Sequence, residues 1–206
     1  MFRDSLNDKI GNTIIYLIDK IGILYLTKAI KLLYITDEIS IKETGVPFTW
    51  LDYKAWKMGP VPEDIYFELR YKQRCLDEHC NISISKYVDV QIEANPVSPD
   101  RDAYKLLKSK PFSEDEFSEY EIDLLNRVIS KYGGKSANEI IDILHSEGTL
   151  WDKVVKENDL KMYFELQNET SPVVIPLIEL IKEDGLKQLA YKSAFASLSL
   201  NSQLVC

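Results

Sequence analysis

Three residues have the chemistry to hold a soft metal together: Cys75, His79 and Cys80. On a helix, positions 75 and 79 share a face, so a thiolate and an imidazole could reach one zinc ion. A structural zinc site wants four such ligands, and the sequence has one other histidine, His145, far along the chain. With that ligand count the three residues read as ordinary helix positions and no metal is expected. His145 stands six residues before Trp151 in LHSEGTLW. It could carry a proton or make a specific interface contact. No serine, cysteine or carboxylate near it has the context of an activated nucleophile, so it reads as a histidine at a helix C-terminus stacked on the tryptophan.

The remaining chemical patterns fail for stated reasons. Asp37-Glu38 and Glu114-Asp115-Glu116 sit at helix ends, where solvation and the helix dipole account for them. Gly133-Gly134-Lys135-Ser136 resembles a phosphate loop only in composition: the first glycine at the required distance and the preceding strand are missing. No GxGxxG, GxxxxGK[ST] or HExxH is present. What stands out is a concentration of rings, lysines and methionine: Lys28, Lys31, Tyr34, Trp50, Lys54, Trp56, Lys57 and Met58. Aromatic residues and methionine are favoured at protein interfaces. With His145 and Trp151 they are the candidate partner-binding residues, and no catalytic or metal-binding residue is expected.

The elements that would position these residues follow from periodicity. Ile10, Ile14, Leu17, Ile18 and Ile21 recur at helical spacing, with Gly22 loosening the end. A second helix from about Leu26 has Leu26, Ile30, Leu33 and Tyr34 on one face and Lys28, Lys31 and Lys42 mostly outside, ending at Gly45 and Pro47. Phe48 to Trp56 reads as a short strand, and Gly59-Pro60 as a turn. A helix then opens at Pro62 with Glu63 and Asp64 in its first turn and runs to about Glu78. Ile82, Ile84, Val88, Val90 and Ile92 alternate as in a strand, and Ala103 to Lys108 reads as its hairpin partner; with residues 48–56 these would form one small antiparallel sheet. Ser113 with Glu116, Ser136 with Glu139 and Thr149 with Asp152 mark three helix starts, and Gly133-Gly134 stops the first of these helices. After Leu160, Pro172 and Pro176 bracket an apolar run, a helix is expected around Ile178 to Asp184, and Gly185 precedes a last weakly amphipathic stretch.

The composition is that of an ordinary globular protein: 206 residues, 45% hydrophobic, 28% charged. A chain of this length buries about 70% of its unfolded surface and needs no staples. Neither a signal peptide nor a membrane-spanning helix is expected. The three cysteines lack framework spacing, which suits reduced thiols in a cytoplasmic protein. The net charge is −8. Residues 1–60 carry eight Lys or Arg against seven acids, so the rest is net −9. A globally acidic chain must build any basic face for a polyanion locally, against its own field, which disfavours direct nucleic-acid binding and favours a basic protein partner.

In order along the chain, LTKAIKLLYITD, AWKMGPVPEDIY and SKYGGKSANEIIDILHSEGTLW resemble the three blocks of the Panacea domain, also called SocA-like. The matching positions are Lys28, Lys31, Leu32, Leu33 and Tyr34; Ala55, Trp56, Gly59, Pro60 and Val61; and Tyr132, Gly133, His145, Glu147 and Trp151. Ala29 and Ile30 depart from the pattern, and Thr149-Leu150 replaces the usual proline. The resemblance spans about residues 10–157. It implies a mainly α-helical α+β domain with a small antiparallel sheet, in bacteria and phages, acting without enzyme activity or cofactor. The implied role is an antitoxin that neutralises a cognate toxin encoded beside it, with phage defence as one setting. The alternative is an adaptor that hands a client to a cytoplasmic protease. The expected organisation is a Panacea domain over 1–159 and a helical C-terminal extension over 160–206 that packs on the core or on the partner.

Overall fold

The first helix, α1 (Phe2–Ile21), buries Ile10, Ile14, Ile15 and Leu17 completely, as the isoleucine spacing predicts. The computed structural model describes residues 2–71, 83–96 and 98–203. The further elements are α2 (Leu26–Thr44), β1 (Lys54–Trp56), β2 (Gly59–Val61), α3 (Glu63–Tyr71), β3 (Val88–Ala94), β4 (Asp102–Lys108), α4 (Glu119–Tyr132), α5 (Ala137–Leu144), α6 (Leu150–Glu157), α7 (Leu160–Glu165), a short 3-10 helix (Leu177–Ile181) and α8 (Gly185–Gln203). The fold is mainly helical α+β, with two separate two-stranded antiparallel sheets among the described residues. The expected helix to Glu78, with Cys75, His79 and Cys80, lies outside the described residues beyond Tyr71.

The chain divides into two compact units, residues 1–30 with 64–134 and residues 31–63 with 135–206. In the first, α1 packs on β3, β4 and α4. β3 and β4 pair from Val88↔Lys108 to Ala94↔Asp102, and the other edge of β4 takes Leu24 and Tyr25, with Leu106 N–H donating to the Leu24 carbonyl at 2.9 Å. Polar residues buried in α1 tie irregular chain to the helix. The Asn7 side-chain oxygen accepts from Ser83 N–H at 3.1 Å, and that of Asn12 from Ser113 N–H at 3.0 Å. Glu68, also buried, accepts from the N–H groups of Ile84 and Ser85.

In the second unit β1 is central. It pairs with β2 through Ala55↔Pro60 on one side and is flanked by residues 169–175 on the other. Lys57 N–H donates to Glu169, Ala55 N–H to Val173, and Ile175 N–H to Tyr53. The two-residue step from Ala55 to Lys57 thus faces the four-residue step from Glu169 to Val173. The Ser171 hydroxyl fills the gap, donating to the Ala55 carbonyl at 2.7 Å. α8 lies close enough to Gly45 that a Cβ there would stand 2.5 Å from the Lys187 carbonyl oxygen, and Gly45 has φ +83°.

Several expectations need correction. Residues 48–53 are irregular, and only Lys54–Trp56 forms a strand. The turn is Lys57-Met58, while Gly59-Pro60 lies in β2; glycine at φ +93° begins that strand, and Pro60 offers its carbonyl without needing an N–H. The two hairpins do not join in one sheet. α4 starts at Ser118 with Glu121 completing the capping box, whereas Ser113 closes a turn with Asp115. The caps at Ser136 and Thr149 form as expected. The segment expected as a helix to Asp184 is the 3-10 turn Leu177–Ile181.

Gly11 shows how tightly the first unit is packed. A Cβ on this α1 residue would fall 2.2 Å from the ring of Tyr87, whose hydroxyl is held by Asp8. Alanine normally stabilises a helix interior by about 1 kcal/mol over glycine. Here overpacking of about 1–3 kcal/mol opposes that gain. Gly11→Ala should therefore lower the urea midpoint; an equal or higher midpoint would show that the ring moves aside freely.

Candidate functional site

α2 supplies the site through a run of buried residues that admits two charges. From Ala29 to Asp37 every residue is buried, and Lys31 is only 1% exposed. The expectation that Lys31 faces solvent is thus incorrect. It assumed that α2 buries a single stripe, whereas its middle is covered all round. A buried ammonium must find an acceptor. Lys31 Nζ donates to the Pro60 carbonyl at 2.7 Å. Burial lowers its pKa to about 7.

His145 meets the same place from α5, whose C-terminus it caps by donating its N–H to the Ile141 carbonyl. A Cβ on Gly59 would stand 3.4 Å from Lys31 Nζ and 3.6 Å from His145 Nε2. A Cβ there would make ordinary contact with both nitrogens, and it is φ +93° that favours glycine. The imidazole stacks on Trp151, with centroids 3.8 Å apart and planes 9° from parallel. Trp151 Nε1 donates to the Trp56 carbonyl at 3.0 Å. His145 Nε2 is buried and has no hydrogen-bond partner among the described residues. Burial, and then the charge of Lys31, hold the imidazole below its usual pKa, with Asp142 opposing. The neutral ring at pH 7 suits this position beside an amine.

Six residues further along α2, Asp37 is buried completely and accepts from Thr49 N–H at 2.6 Å, from the Thr49 hydroxyl, and from the Tyr53 hydroxyl at 2.6 Å. Burial raises its pKa, and the Thr49 and Tyr53 hydrogen bonds pull it back. Tyr34 packs edge-on against Tyr53 at 5.1 Å. Pinning Thr49 forces the next residue, Trp50, to φ +57°, a conformation that costs a bulky side chain about 1–3 kcal/mol. That turn aims the indole at Tyr191 and Phe195 of α8, 5.2 and 6.0 Å away.

The candidate residues therefore separate by exposure. Lys31, Tyr34, Trp56 and Trp151 are buried and build the second unit. Lys57 and Met58 are exposed at the tip of the β1–β2 hairpin, His145 is half-buried beside Gly59, Lys54 is half-buried at the opposite end of β1 across from Val61, and Trp50 is half-buried against α8. Lys28, in the first unit, gives its ammonium to the Gly133 carbonyl at 2.5 Å. The reading of Asp37 as a solvated helix-end residue is incorrect, since it lies within α2 and is fully buried; the parts played by Thr49, Tyr53 and Ser171 were not read from sequence. The available signal was an aspartate inside the apolar run YITDEIS, too far from the helix end for capping. Among the described residues no cluster of three or more His, Cys, Asp or Glu could hold a metal ion, and no helix is long and apolar enough to cross a membrane.

The family model for the antitoxin SocA-like, Panacea domain matches residues 30–152, a span that contains Lys31, Gly59, His145 and Trp151. The chain belongs to that family. No curated protein and no solved structure matches it. In this Panacea domain Lys31, Gly59 and His145, one residue from each sequence block, meet in the second unit.

The cluster makes stability depend on pH. Folding lowers the Lys31 pKa from 10.5 to about 7. Below pH 7 both folded and unfolded chains bind the proton, and the cost of burying the charge is fully present. Between pH 7 and 10.5 only the unfolded chain holds it, so stability rises with pH by up to about 1.4 kcal/mol per unit. Between pH 7.5 and 9, wild type should gain about 2 kcal/mol more than Lys31→Met. Urea titrations at the two pH values measure it, and parallel curves for the two proteins would refute it.

Proposed function

We propose that this Panacea domain neutralises a cognate toxin, encoded beside it, by direct protein–protein binding and without catalysis. Membership of the SocA-like antitoxin family carries this reading. The site chemistry supports it: the conspicuous polar residues are consumed in holding backbone, as Lys31 on Pro60 and Asp37 on Thr49. We assign the contact to the hairpin tip, where Lys57 and Met58 are exposed with His145 near them at Gly59, and we include Lys54 and Trp50 further along the same unit as half-buried contributors. Exposed methionine next to cationic side chains suits an adaptable protein contact. Lys31, Tyr34, Trp56 and Trp151 support that surface from beneath.

Co-expression with the product of the adjacent gene tests the reading. Growth inhibition by that product should be relieved by the wild-type chain and relieved at least tenfold less well by Lys57→Glu/Met58→Glu, at equal levels of folded protein. If the wild-type chain gives no relief, the antitoxin reading fails. If relief occurs only in cells that retain their cytoplasmic proteases, and the two purified proteins form no inhibitory complex, the adaptor role replaces direct neutralisation.

A further inference from the structure

Arg70 sits in the last turn of α3 with its guanidinium framed by three tyrosine rings of the first unit. Its Cζ lies 5.4 Å from the ring centroid of Tyr66, 5.4 Å from that of Tyr71 and 4.8 Å from that of Tyr104 on β4. One Nη donates to the Tyr66 hydroxyl. Nε is buried and has no hydrogen-bond partner among the described residues. Nor does a described carboxylate form an ion pair with Arg70. Some other cations of this unit are ion-paired among the described residues, as Lys86 is by Asp8 at 3.0 Å and Arg127 by Asp123 at 2.9 Å. What sets Arg70 apart is its buried, unsatisfied Nε among three tyrosine rings.

The rings strip water from the faces of the cation and fix its plane, so its free donors point along one edge. Around it stand exposed apolar groups: Tyr71 at 52%, Phe67 stacked on Tyr71 with centroids 6.0 Å apart, and Ile92 at 59%, directly across the β3–β4 ladder from Tyr104. An arginine held among tyrosines and rimmed by apolar side chains has the composition of an interface hot spot. The structure assigns to this face a second protein-binding surface, distinct from the hairpin tip, whose partner presents an aspartate or glutamate carboxylate to Arg70 and an apolar side chain to Ile92 and Tyr71. Charge selects this occupant. A carboxylate satisfies the guanidinium bidentately, and the net charge of −8 works against a nucleic acid as the occupant.

The test follows the Arg70 Nε–Hε resonance of the full-length protein, assigned by its loss in Arg70→Lys. Two probes are added: the peptide acetyl-Leu-Glu-Leu-Glu-Leu-Glu-amide and its counterpart with lysine in place of glutamate. The glutamate peptide should shift the resonance saturably and the lysine peptide should not. Fluorescence anisotropy of the labelled glutamate peptide should show at least tenfold weaker binding to Arg70→Glu and several-fold weaker binding to Arg70→Lys, whose ammonium keeps the charge without the planar fork. Near-ultraviolet dichroism confirms that both variants are folded. No saturable shift, an equal shift by the lysine peptide, or unchanged affinity in Arg70→Glu would each overturn the inference, as would a shift produced only by an oligonucleotide. The toxin reading is tested separately. A toxin that fails to bind the wild-type chain removes that reading while peptide binding at Arg70 still stands.

Discussion

A single buried amine organises the second unit. Lys31 has no carboxylate to neutralise it; its acceptor is a backbone carbonyl, that of Pro60, at 2.7 Å. Near Lys31, at Gly59, come the imidazole of His145 and, through its stacking, the indole of Trp151, which reaches back to the carbonyl of Trp56. The hairpin is thus held by side chains from helices before and after it in sequence, and its own three-residue strands have little to do with its rigidity. A pair of strands this short would not persist alone.

Asp37 does the complementary work. Lys31 donates to the backbone of the hairpin, and Asp37 accepts from the backbone of the loop that leads into it. The chain from Thr49 to Pro60 is therefore suspended from α2 at two points by groups of opposite charge. Neither group is stabilising in the sense of a surface ion pair; each carries a desolvation cost that its hydrogen bonds offset. What they fix is conformation, including the left-handed Trp50 that turns its ring toward α8. A hydrophobic residue at either place would fill space without specifying where the loop goes.

Much of this was legible in sequence where local chemistry decides. The isoleucine period of α1, the Ser136–Glu139 box and the stop at Gly133 all rest on interactions within a few residues, and they appear as read. The fold class followed from the same signals and from the family blocks. Reading failed where a distant partner decides. Lys31 looks like a solvent-facing residue on an amphipathic helix, and only the arrival of Pro60 makes its burial tolerable. Ser113 had the spacing of a helix cap, but Asn12, a hundred residues earlier in the chain, takes its N–H, and α4 begins at the next serine able to complete a box. The Lys31–Gly59–His145 cluster was visible as three motifs, and their meeting point was not.

Ser171 carries a consequence for where this protein can be cut. Its hydroxyl replaces a backbone donor against Ala55, in a segment that closes the open edge of β1. The family match ends at residue 152, so the region that identifies the domain stops before the chain that seals it. A fragment trimmed to the recognisable region would present a bare strand edge, with the Ala55 carbonyl and two N–H groups turned outward, and such an edge recruits whatever extended chain it meets. The boundary drawn by likeness and the boundary drawn by hydrogen bonding are about twenty residues apart, and the second is the one that keeps the molecule to itself.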